Sequence, residues 1–219
     1  MASPLSSRTW LQALKRQWQL YRLADPAFRF MFDLPPPLEW VALDCKTTGR
    51  DLLHDEIISI DAVRILGNRI MTSERLELLV RPVRGVSAES VRAHRLREQD
   101  VADGLEPAEA MRQLMHFIGS RPLVGYYLEF DLAMLNRAIR PLLRIDLPQP
   151  TIEVSGLYYD YKLSLLPSHR RHGVPDVDLH FAAMMDDLEL PLEVSHEGLS
   201  DAVAAALAFV KLRQLLNKS

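Results

Sequence analysis

The run Trp40, Val41, Ala42, Leu43 ends on Asp44, and Cys45, Lys46, Thr47, Thr48 and Gly49 then lead into a turn. A short apolar run bounded by turn chemistry reads as a buried strand. The chain must therefore carry a carboxylate out to the edge of its own sheet. A second such junction follows at Leu123, Val124, Gly125, Tyr126, Tyr127, Leu128, Glu129, Phe130 and Asp131. A third lies at His196, Glu197, Gly198, Leu199, Ser200 and Asp201, where an alanine-rich helical pattern begins. Taken singly, each acid is an ordinary turn or helix-start residue. Together, three separated carboxylates and one histidine are the groups that metal-assisted phosphodiester cleavage requires.

A length of 219 residues fits one medium domain with an appendage, and 48% apolar with 25% charged residues is an ordinary globular balance. The longest apolar stretches fall well short of the ~20 residues of a membrane span. The N-terminus lacks a cationic flank followed by an apolar core and a small-residue cleavage site. The expectation is a cytoplasmic protein with no membrane partner. One cysteine, Cys45, excludes an internal disulfide and reads as a small buried filler of its strand. A net charge of −3 gives no global attraction to a polyanion. A nucleic-acid partner therefore needs a local basic patch or metal ions, and short oligonucleotides fit as well as long duplexes.

Residues 8–23 place Leu11, Leu14, Trp18 and Tyr21 at three- and four-residue steps, which predicts an amphipathic helix packed through Leu11, Leu14 and Trp18, or a protein partner's docking face. The first 34 residues carry five Lys/Arg against two Asp, so this appendage is basic on an acidic protein. With the Pro35, Pro36, Pro37 linker it makes up residues 1–37, leaving 38–219 as the main domain. From Trp40 the pattern predicts strands over 40–44, 57–65 and 69–80, the last two joined by a Gly67-Asn68 turn. Residues 81–106 read as irregular. Pro107 opens a helix bearing Met111, Leu114, Met115 and Ile118 on one face. A strand over 123–126, a helix over 131–140 stopped by Pro141, a strand near 151–154 and helices over 176–188 and 198–216 complete the chain. Residues 155–175 gather Tyr158, Tyr159, Tyr161, Lys162, His169, Arg170, Arg171 and His172, which fit either a strand channel or a core with a basic surface.

Three strands followed by alternating helices and strands predict an α/β protein. The segments Asp44…Thr47-Thr48-Gly49, Ile57-Ile58-Ser59-Ile60, Leu123-Val124-Gly125…Phe130-Asp131 and His196…Asp201 resemble the exonuclease motifs of the DEDD superfamily. More narrowly, they resemble its histidine-bearing branch, which includes the DNA polymerase III epsilon subunit. The resemblance covers residues 40–216 and implies a ribonuclease H-like mixed sheet flanked by helices. It also implies 3′–5′ removal of nucleotides from single-stranded DNA or RNA ends, or from short oligonucleotides, with two Mg²⁺ or Mn²⁺ ions. In that resemblance Asp44, Asp131 and Asp201 are the metal-binding aspartates and His196 is the general base. Thr47, Thr48 and Phe130 hold the terminal nucleotide.

One position departs from the pattern. Lys46 stands where the family carries its second acidic metal-site residue. Three aspartates and a lysine leave −2 in place of the −4 of four carboxylates. A dication about 4 Å from an ammonium is repelled by roughly 8 kcal/mol at an effective dielectric near 20. The ammonium could instead sit among Asp44, Asp131 and Asp201 as a built-in cation, giving a catalytically silent member of the fold that binds nucleic-acid ends or a protein partner. Glu129, two residues before Asp131, and Glu56 are the acids that could replace the missing carboxylate. Tyr126 stands where the family often has His after Val-Gly.

Overall fold

A computed structural model of the chain describes residues 4–166, 177–191 and 198–217. It begins with helix α1 (Pro4–Arg22) and a 3-10 helix (Pro26–Phe32), followed by strands β1 (Glu39–Thr47), β2 (Ile57–Leu66) and β3 (Arg69–Leu79). Helices α2 (Ala88–His94), α3 (Glu98–Val101) and α4 (Pro107–Ile118) come next. Then β4 (Leu123–Gly125), α5 (Leu128–Leu143), β5 (Thr151–Glu153), α6 (Val154–Ser164), α7 (Phe181–Asp187) and α8 (Gly198–Leu216) complete the described chain.

The strands form one sheet in the order β3-β2-β1-β4-β5. β1, β2 and β3 pair antiparallel, whereas β1, β4 and β5 run parallel. The mixed sheet flanked by helices is the ribonuclease H-like arrangement that the motifs imply. The β2–β3 connection is two residues long, and Gly67 at its first position has φ +60. That is the position where a type II′ hairpin turn takes glycine. At Gly125 a Cβ would come within 2.8 Å of Leu128 Cδ1 and 3.2 Å of the Leu43 carbonyl oxygen. Glycine is what lets β4 lie this close to β1 as the chain turns into α5.

Because strand side chains alternate, β1 presents Val41, Leu43 and Cys45 to one face and Ala42, Asp44 and Lys46 to the other. The first set packs with Ile60, Ala62, Met111, Leu114, Leu128 and Leu135, so α4 and α5 cover that face. Ala42 packs with Val63, Val124, Tyr158, Met185 and Phe209 beneath α6, α7 and α8. Alanines 204, 205, 206 and 208 on α8 are buried in this layer, and their small side chains bring the helix axis close to the sheet.

Four local expectations change. Phe28, Met31 and Phe32 of the 3-10 helix are core residues, so the segment before the prolines is packed against the sheet layer. α1 buries Gln19 and sets Leu20 against the core, as Leu23 does just after the helix, while Leu14 is 49% and Trp18 55% exposed. Its outward stripe is the Leu14 and Trp18 side, with Arg22 stacked over the Trp18 ring at 4.6 Å; the Leu11 side chain lies outside the description. Pro141 does not stop α5: lying near the end, it removes one backbone donor, and the helix closes at Arg144, in the left-handed conformation with its N–H bonded to the Arg140 carbonyl. Residues 81–106 hold two short helices, the first capped by Ser87, whose hydroxyl accepts from the Ser90 N–H.

Candidate active site

The carboxyl ends of β1 and β4 and the first turns of α5 and α8 meet at one edge of the sheet. Asp44 reaches it from β1, Asp131 from the first turn of α5, and Asp201 from the first turn of α8. Although α5 and α8 lie on opposite faces, the three acids are close enough that Asp131 and Asp201 both repel charge on Asp44. Burial is the largest cause, and these two acids add to it, so the Asp44 carboxyl is held well above the usual carboxylate range; Lys46 acts in the opposite direction.

Burial also raises Asp131, to about 7, assisted by Glu153 and opposed by a hydrogen bond from the Cys45 backbone N–H. Glu153 sits at the end of β5, and its carboxylate accepts from the backbone N–H groups of Tyr127 at 3.1 Å and Leu128 at 2.9 Å. An anion at the N-terminus of a helix satisfies donors that have no partner within it. Tyr127 at that cap has φ +51, a left-handed backbone that is strained for a side chain of its size. Glu153 thus fixes the start of α5 and, through it, the place of Asp131. Its signal in sequence is only an acid closing the short strand Thr151-Ile152-Glu153.

Asp44 and Asp131 line a cleft of about 690 Å³ together with Thr47, Arg50, His94, Tyr126, Tyr127 and Phe130. Ser90 and Ser87 donate hydroxyl hydrogen bonds to the carbonyls of Thr47 at 2.7 Å and Thr48 at 2.9 Å, which clamps α2 over the end of β1. That clamp brings His94 to the cleft. Burial first, then Lys46 and Arg50, lower the His94 pKa, so its imidazole is neutral at neutral pH. His94 lies in a segment whose sequence reads as irregular, so the polar pattern of residues 81–106 hid it.

Of the two threonines, Thr47 faces the cleft, its hydroxyl donating to the Gly49 carbonyl at 2.5 Å. The Thr48 hydroxyl is spent inside the loop, donating to Asp55 at 2.8 Å and accepting from the Glu56 N–H. Tyr126 donates its hydroxyl to the Leu179 carbonyl and packs on Tyr127 with ring centroids 4.5 Å apart. Burial pushes its phenol up to about 12. Glu129 lines the cleft, whereas Glu56 accepts from the Arg84 backbone N–H on the loop side. His196 lies outside the described residues, as do His169, Arg170, Arg171 and His172. Tyr158 is a core residue hydrogen-bonded to Asp187, which also holds Lys162.

Lys46 is 4% exposed, and its Nζ lies 3.8 Å from Asp201 Oδ2. Among the described residues, no group of three or more His, Cys, Asp or Glu side chains is gathered tightly enough to hold a metal ion. Asp44 and Asp131 line the cleft as two hard oxygen donors, the ligand type that a divalent cation takes. The Lys46 ammonium stands beside Asp201, so a cation held by Asp201 would meet a like charge there.

A family model described as Exonuclease matches residues 41–209. A Rhodobacter capsulatus protein named DNA polymerase III subunit epsilon-like protein is 31% identical over 183 residues, which are 80% of this chain and 24% of that protein. DNA polymerase III PolC-type of Bacillus subtilis is 25% identical over 177 residues, 79% of this chain and 11% of its own length. The chain thus spans about a quarter or less of these curated relatives. Among solved structures, E. coli Exonuclease I in complex with single-stranded DNA aligns with a TM-score of 0.65 at 14% identity, over 82% of this chain and 42% of that one. Exonuclease X in complex with 5′ overhanging duplex DNA aligns at 0.57 and 21% identity, over 82% and 92%. A sheet of this order, acids delivered to one edge by β1, α5 and α8, and a family match running across all three make this chain a member of the DEDD-type exonuclease family.

Proposed function

We propose that the chain removes nucleotides from the 3′ end of single-stranded DNA or RNA, or of short oligonucleotides, by divalent-metal-assisted hydrolysis. The observation that carries this reading is the Asp44–Asp131 pair, both desolvated, with Asp131 repelling charge on Asp44, in the lining of a cleft that also holds three aromatic side chains. Asp44 and Asp131 would hold one Mg²⁺ or Mn²⁺ ion. When bound, that ion supplies a Lewis acid for the phosphodiester and a more acidic water. The chain's own residues do the rest. Phe130, Tyr126 and Tyr127 offer ring faces and edges to a terminal base and sugar, a contact that tolerates every base because each has a π-face. Thr47 and the backbone around it bound the same end of the cleft. Arg50 adds local positive charge that a net-acidic protein needs in order to receive a phosphate. His196 is the proton acceptor for the attacking water in this reading, a role matched to an imidazole near neutral pH.

The Lys46–Asp201 ion pair favours a second reading. An ammonium placed there stands where metal charge would otherwise be needed, and a chain so equipped would bind a strand end through the cleft and leave it uncut. Digestion of a 5′-labelled single strand in Mn²⁺ separates the two. A ladder shortening by single nucleotides, absent in EDTA and in Asp44→Asn, supports hydrolysis. Metal-independent strand binding with no ladder supports the gripping reading.

A further inference from the structure

Tyr127 is an outlier in the backbone of the cleft. Its φ of +51 lies in the left-handed region, where a bulky side chain is strained, and the residue is 63% exposed. Asparagine or glycine adopts that conformation at lower cost, so the turn itself has no need of an aromatic ring. The chain nevertheless holds this turn firmly. The Glu153 carboxylate accepts hydrogen bonds from the N–H groups of Tyr127, Leu128 and Ser155 and from the Ser155 hydroxyl, all between 2.9 and 3.2 Å. Donors converging on both oxygens suit a carboxylate, which has no N–H of its own to oppose them. What the turn presents is the Tyr127 ring, packed edge to face with Tyr126 at a centroid distance of 4.5 Å. Tyr127 lines the cleft and also a second cavity of about 410 Å³, whose other walls are Val177, Asp178, Leu179 and His180. That volume is in the range of small-ligand pockets. The Tyr126 hydroxyl donates to the Leu179 carbonyl at 2.9 Å, which ties the wall of the cleft to the wall of the second cavity.

We propose that the Tyr127 ring stands between two nucleotide subsites: the cleft takes the terminal nucleotide of a strand, the second cavity takes the penultimate one, and the ring stacks between their bases. The inference rests on the reading of the cleft as the seat of a strand end, and it makes the preferred ligand a dinucleotide or longer. Every base has a π-face, so stacking on Tyr127 adds affinity without sequence preference. Val177 and Leu179 offer apolar contact to the penultimate base or sugar. Glu153 is a positioning residue: it holds the backbone turn that sets the ring in place.

Titration of the full chain in Mn²⁺ with thymidine 5′-monophosphate and with phosphorothioate-linked oligothymidylates of two, three and six nucleotides tests this. Binding should tighten about tenfold or more from the mononucleotide to the dinucleotide. Tyr127→Phe should keep that step. Tyr127→Asn, which suits the left-handed backbone, should lose it while its urea unfolding midpoint stays level or rises. A dinucleotide bound no tighter than the mononucleotide, or a step that survives Tyr127→Asn, would overturn the proposal. So would a lower midpoint in Tyr127→Asn that accounts for the lost binding, because the ring would then serve packing alone. Hydrolysis is decided separately, by the ladder from a labelled strand. A step without a ladder supports two subsites in a chain that does not cut, whereas a ladder without the step overturns the second subsite and leaves the nuclease reading standing. No binding by any member of the series would overturn the cleft as a strand-end site and the second subsite with it.

Discussion

The two faces of β1 differ in a way that separates what folds this chain from what it is for. On the α5 side, Val41, Leu43 and Cys45 are buried along the whole strand. On the α8 side the strand begins the same way, with Ala42 packed on Val63, and then changes character: Asp44 and Lys46 lie beside Asp61 and Ser59. One face is apolar to its end. The other gives up its last turns to four polar side chains, three of them charged, in a place where each costs solvation. Packing alone would have continued the apolar pattern, so the charged end marks where function displaced stability.

Changes at the charged end should move activity most. Lys46→Glu alters the local charge by −2 beside Asp44, and single-strand digestion in Mn²⁺ should rise about 100-fold or more. Adding Asp201→Ala should cancel the gain, which guards against a contaminating nuclease. No gain would mean that the lysine does not limit the site. At the apolar face the effect should fall on stability. Leu43→Ala should cost about 2–5 kcal/mol in urea unfolding and leave Mn²⁺ affinity unchanged per folded molecule. A Leu43→Ala protein as stable as its parent would erase the contrast between the faces.

The charged end should also make stability depend on pH. Asp131 at about 7 and Asp61 at about 6 lie above the unfolded aspartate value, chiefly through burial. A raised carboxyl pKa means that the folded chain binds the proton more tightly, so this contribution is complete below about pH 4 and is lost as pH rises through about 6 and 7. In EDTA the unfolding free energy should therefore fall by a few kcal/mol between pH 5 and pH 7.5. Saturating Mn²⁺ should flatten that slope. The smallest expected effect is at α1: Trp18 is 55% exposed, so Trp18→Ala should change stability by less than about 1 kcal/mol.

Much of this was legible in the sequence where periodicity or spacing carried it. The three antiparallel strands, the glycine turn at Gly67 and the helix over Gly198–Leu216 follow from alternation, turn chemistry and an alanine-rich pattern. Asp44, Asp131 and Asp201 stand out because each ends or begins an element. Asp61, Glu153 and His94 do not, since their importance comes from which strand or helix lies alongside, and a pairing register is invisible along one chain. The burial of Phe28, Met31 and Phe32 was missed for a related reason: seven residues of 3-10 helix between prolines carry too little pattern to distinguish them from a linker.

The number of Mn²⁺ ions bound per chain tests the contrast between the faces most directly. One ion, lost in Asp44→Asn and retained in Cys45→Ala, is the result expected if the charged end of β1 is a metal site with Lys46 excluding a second ion. Two ions, no ion, or one ion that survives Asp44→Asn would contradict it.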